Sequence, residues 1–99
     1  MSNTFNNSPK VRNRIRICRM TVNLTQKELA YLLDMPMTTI SRWENGSRTP
    51  GVYHAIGLSV ATHRLVDEIF RDYRDEWISK IEQRLETLRS SQKKKGRNL

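Results

Sequence analysis

The residues best placed to do chemistry are Met37, Thr38, Ser41 and Arg42, the outward set of the run Met37-Thr38-Thr39-Ile40-Ser41-Arg42-Trp43-Glu44. Their chemistry is recognition. Two hydroxyls, a thioether and a guanidinium on the first turns of one helix are short and mixed enough to touch base edges in a major groove. Arginine would favour guanine and methionine the thymine methyl. Catalysis has no comparable set. Cys18 is the only cysteine, and neither His54 nor His63 has partners at catalytic or metal-ligand spacing. No catalytic residue, metal or cofactor is therefore expected, and Cys18 reads as a small core residue.

The stretch that must position these residues runs from Thr25 to Gly46 and reads as two short helices joined by a tight turn. Leu29, Leu33, Ile40 and Trp43, with small Ala30 between the first two, are spaced to face inward on two crossing helices. Thr25 and Glu28 form the T-x-x-E capping-box pattern, which fixes the first start. Asp34-Met35-Pro36 breaks the helical period, because proline lacks a backbone N–H and biases its predecessor away from the helical region. The second helix is thus predicted from about Met37, and Asn45-Gly46 ends it, with glycine in the left-handed position.

At these residues, Leu24-Thr-Gln-Lys-Glu-Leu-Ala30, Thr38 to Gly46 and the following Arg48-Thr49-Pro50, the chain resembles the Cro/repressor-type helix-turn-helix family of bacterial and phage transcription regulators. The resemblance covers roughly Ile15 to Phe70. It implies an all-α, five-helix domain that binds double-stranded DNA. Asn23, Asp34 and His63 stand where this family has glycine, and all three types tolerate positive φ. Pro36 replaces a capping Ser or Thr and is acceptable where a helix begins. The resemblance also implies that Glu44 pairs with Arg19, joining the first helix to the end of the third, and that Gln26, in the first turn of the second helix, touches a phosphate. Thr39 and Asn45 are expected to hold the DNA backbone as well. Arg48 stands open between a solvated loop charge and a phosphate clamp.

The rest of the chain supports this centre. With 99 residues only one small core is available, and the formal charge of +8 with pI near 10.3 favours a polyanionic partner. No apolar run approaches the ~20 residues of a membrane span, and the polar start lacks a signal-peptide apolar region, so a reducing cytoplasm beside the nucleoid is expected. Residues 1–8 read as a disordered arm. A DNA-binding domain follows over 9–70, its first helix starting at Pro9 with Val11, Ile15 and Cys18 inward, and its fourth carried by Val52, Ala55, Ile56 and Ser59. From Val66 one long helix is expected. Its 71–90 portion outruns the domain, and Tyr73, Trp77, Ile81, Leu85 and Leu88 form a dimerisation stripe, with 91–99 a disordered basic tail. The alternative is that this helix packs along its own domain.

These observations lead to a sequence-specific transcription regulator, acting as a repressor on a two-fold-related operator as a homodimer. Two alternatives are an antitoxin or restriction-control type of regulator that acts with a protein partner, and a protein-interaction module. An RNA-binding module is disfavoured, because RNA platforms need exposed aromatics on a sheet or loop.

Overall fold

The structure, a computed structural model, describes residues 11–96. Among these it has six helices and no strand: α1 (Ile15–Thr21), α2 (Gln26–Leu32), α3 (Met37–Glu44), α4 (Val52–Thr62), α5 (Val66–Ile69) and α6 (Arg71–Gly96). The class is all-α, with six helices where five were expected. The first eight residues and the last three, to which the arm and the end of the tail were assigned, lie outside the described residues.

Helix α1 begins later than the Val11, Ile15, Cys18 spacing implies. Asn13 is the reason, since its Oδ1 accepts the Ile15 N–H at 3.0 Å and its Nδ2 donates to the Trp43 carbonyl at 2.8 Å. The first free N–H of the helix is thereby satisfied, as an N-cap side chain does. Val11 consequently lies outside the helix and is exposed, 3.8 Å from where a Cβ on Gly46 would stand.

Helix α2 carries both halves of its capping box. The Glu28 N–H donates to Thr25 Oγ1 at 3.0 Å and the Thr25 N–H to Glu28 Oε1 at 2.8 Å. The turn to α3 is reversed by Asp34 at φ 54°, and Pro36, at φ −66° and ψ 145°, stands at the N-cap of α3. Proline costs nothing there, because the N–H it lacks would have had no intrahelical partner.

Helix α4 turns a different face inward from the one expected. Ala55, Leu58 and Thr62 are buried, whereas Val52 and Ile56 are exposed. The segment Val52-Tyr-His-Ala-Ile-Gly-Leu-Ser-Val-Ala61 is apolar on more than one side, so periodicity alone does not choose between faces. Gly57 helps to choose. A Cβ there would stand 2.8 Å from Leu33 Cδ2, so the missing side chain lets α4 approach the end of α2. The ~1 kcal/mol that glycine costs a helix is the counterpart of that approach.

The expected single helix from Val66 is broken at Phe70, whose φ of −113° and ψ of 42° leave the helical region. Ile69 and Phe70 are both buried. In a straight helix two successive side chains point ~100° apart, and the break lets both enter the core while redirecting the chain into α6. The Tyr73 ring stacks on Phe70 at 6.0 Å, and the Arg12 guanidinium lies 4.6 Å from its centroid. Tyr73, assigned from the sequence to the dimerisation stripe, therefore packs on its own domain and is half-buried.

One more contact ties α6 down. Glu76 receives Lys80 at 2.7 Å and also Arg12, and these partners, Lys80 first, hold its carboxyl at about 2, well below the usual carboxylate range. Beyond Glu76 the helix leaves the domain. Every side chain from Trp77 to Gln92 is exposed, and the helix continues through Gly96, past the expected end at residue 90. The chain runs on because no glycine or proline intervenes. The radius of gyration of 19.0 Å exceeds the ~13 Å of a compact chain this long.

Candidate nucleic-acid interface

The interface is built on α3, which is anchored on one side and free on the other. Ile40 and Trp43 enter the core formed with Ile15, Leu29, Leu58 and Ile69. This burial leaves Met37, Thr38 and Arg42 exposed and Ser41 and Thr39 half-buried along the opposite face. The four residues expected from the sequence to read bases thus share one side of one helix, beginning at its first turn. Two hydroxyls and a guanidinium there offer donors and acceptors to base edges.

The end of α3 is held by a buried ionic network. Arg19 Nε donates to Glu44 Oε2 at 2.6 Å and Nη2 to Oε1 at 3.1 Å, while Nη1 reaches the Leu24 carbonyl at 2.8 Å. Arg19 is 9% exposed and Glu44 8%. Two charges out of water are tolerable only when paired and hydrogen-bonded in this bidentate way. Among the described residues no buried side-chain polar atom lacks a partner.

Gln26 joins the same carboxylate, its Nε2 donating to Glu44 Oε1 at 3.0 Å. This contact was not foreseen in the sequence. It fixes the amide at the N-terminus of α2 and uses one of its two N–H bonds. A hydrogen-bonded series therefore runs from α1 through α3 to the first turn of α2.

After α3 the chain turns at Gly46, with φ 82°. The Asn45 Oδ1 accepts the Ser47 N–H at 2.9 Å, and the Arg48 N–H donates to the Arg42 carbonyl at 3.2 Å. Arg48 is thereby brought to the C-terminal end of α3, near Arg42 in the chain path, and both side chains are exposed. Asn45 keeps its Nδ2 donor, the group a phosphate would take.

Asn13 is a positioning residue that sequence reasoning missed, since it bonds the start of α1 to the last turn of α3. Its only signal was an Asn two residues before the first inward Ile. Cys18 is buried, and that burial pushes its thiol pKa up, away from thiolate reactivity. His54 lies 5.6 Å from the Trp43 ring, centroid to centroid. Among the described residues there is no group of three or more His, Cys, Asp or Glu that could hold a metal, and no helix long and apolar enough to cross a membrane.

Comparison with curated proteins finds no match. The family model described as helix-turn-helix matches residues 15–68, more than half of the chain. That span begins with α1 and ends within α5, taking in the Arg19 and Glu44 pair, the reversed turn at Asp34 and the exposed face of α3. The chain belongs to the Cro/repressor-type helix-turn-helix family and is a DNA-binding transcription regulator.

Proposed function

We propose that the protein represses transcription by occupying, as a homodimer, an operator of two half-sites related by a two-fold axis. Met37, Thr38, Ser41 and Arg42 read bases in the major groove. Gln26, Thr39, Asn45 and Arg48 hold phosphates on either side, and Trp77, Ile81, Leu85 and Leu88 join the two copies. The observation that carries this reading is the one-sided burial of α3, apolar inward and mixed polar outward, with its last turn clamped by Arg19 and Glu44. Repression is the simplest consequence of such occupancy, since a dimer seated on an operator blocks polymerase. This places the protein in the cytoplasm, at the nucleoid.

Selection of bound sites from random duplex DNA tests the proposal. The expected result is a short motif repeated in inverted orientation about one helical turn apart. A single, unrepeated motif would remove the dimer from the reading, and recovery of unselected sequence would remove base recognition.

A second reading, a regulator that also engages a protein partner, is favoured by one observation. Tyr31, Leu32, Tyr53, Ile56 and Val60, on α2 and α4, are exposed apart from the stripe on α6, Tyr53 to 84%. Apolar surface of this extent on a small domain commonly marks a protein contact.

A further inference from the structure

The exposed seam of α6 has a register and a charge pattern that choose an orientation for its partner. Ile78, Ile81, Leu85 and Leu88 fall at spacings of three, four and three, the a and d positions of two heptads. The seam ends on both sides at polar residues, Arg71 and Arg74 before it and Gln92 after it. All four apolar members are exposed, Ile81 to 51%, as is Trp77 beside them. From the charges that flank this seam we infer that two copies of α6 pair antiparallel, centred near Gln83. This inference rests on the homodimer proposed above and specifies its geometry.

In a parallel pair, a residue before an a position faces the residue five further on in the partner helix. That would place Arg84 against the second copy's Arg89, and by symmetry the reverse, so like charges would meet twice. In an antiparallel pair centred near Gln83, Glu82 lies beside the second copy's Arg89 on one flank, twice over. On the other flank Arg84 lies beside the second copy's Trp77, whose indole face already carries the Lys80 ammonium at 5.1 Å within its own chain. Opposite charges and cation–π contacts replace repulsion.

The core of the seam agrees. Parallel two-stranded coils favour β-branched residues at a and leucine at d. Here a holds Ile78 and Leu85 and d holds Ile81 and Leu88, so that preference is absent. Antiparallel pairing about residue 83 sets Ile78 against Leu88 and Ile81 against Leu85, making every layer one isoleucine and one leucine. The same centre separates the two Arg71 positions by about 36 Å at ~1.5 Å per residue. That is of the order of the ~34 Å between successive major-groove faces. A parallel pair would bring the two junctions to about 10 Å, the spacing of adjacent helices.

The test is the sign of one substitution, read by sedimentation equilibrium of the full chain over a range of concentrations. Arg89→Glu sets Glu82 against a second glutamate in the antiparallel pair and should weaken dimerisation about threefold to thirtyfold, given two exposed pairs changed per dimer. Glu82→Arg combined with Arg89→Glu restores opposite charges and should recover the original dissociation constant to within about twofold. In a parallel pair Arg89→Glu would relieve the contact with Arg84 and tighten the dimer, which would overturn the orientation while leaving the dimer intact. An unchanged constant would show that these flanks do not meet and would overturn it equally. A wild-type chain that sediments as a monomer throughout would remove the dimer itself.

Discussion

Arg42 carries the only charge on the outward face of α3, so it is the residue at which base reading and phosphate attraction are most easily separated. If it pairs with guanine, Arg42→Ala should cost ~1–3 kcal/mol at one base position per half-site and little on non-specific duplex. Competition binding with single-base operator variants checks this. An equal loss on every duplex would place its guanidinium on a phosphate instead. Arg19 poses the opposite case. It is itself buried, and its removal strands the Glu44 carboxylate in a buried site, so Arg19→Ala should destabilise the fold by ~3–5 kcal/mol in urea unfolding. Out of a total of ~5–15 kcal/mol for a typical domain, that is a large share. Replacing both members with apolar residues of similar volume should cost much less, because no unpaired charge is left.

Three turns between helices are reversed by non-glycine residues, Asn23 at φ 60°, Asp34 at 54° and His63 at 57°. For histidine the strain is least compensated, since it lacks the short side chain that lets Asn and Asp bond locally. His63→Gly should therefore raise stability by about 1 kcal/mol, seen as a higher urea midpoint with an unchanged slope. These turns were legible in the sequence through the resemblance, because each residue stands where the helix-turn-helix family has glycine. So were the capping box at Thr25 and the start of α3 after Pro36, where local chemistry alone decides the boundary. What was not legible depends on tertiary placement. The face of α4 is ambiguous in a segment apolar all round, and the break at Phe70 has neither glycine nor proline to mark it. It arises because Ile69 and Phe70 must both be buried. The bond from Gln26 to Glu44 spans 18 positions and leaves no local pattern.

The whole molecule divides into a domain that holds its own core and a helix that extends beyond it. Lysine at both Ile81 and Leu85 should yield a folded monomer, because neither side chain touches that core, and should sharply lower operator affinity through loss of the second half-site. Light scattering and far-ultraviolet circular dichroism distinguish this from unfolding. The +8 charge acts at the same scale. If a dimer meets ~6–10 phosphates, affinity should fall ~10³–10⁵-fold between 50 and 200 mM salt, and a nearly flat titration would contradict DNA binding. The break at Phe70 also gives the molecule mechanical leverage. Helix α6 has 26 residues; its first turns are held by Phe70, Tyr73 and the Glu76–Arg12 pair, and the part from Trp77 on is an arm about 30 Å long at ~1.5 Å per residue. A rotation of about 10° where those contacts end would sweep the far end through about 5 Å, on the same helical rise. If two copies pair through α6 as proposed, a conservative change in the pocket around Phe70 and Tyr73 would leave the exposed face of α3 intact and still retune the distance between two such faces, so the spacing of the operator half-sites would be set in the hydrophobic core.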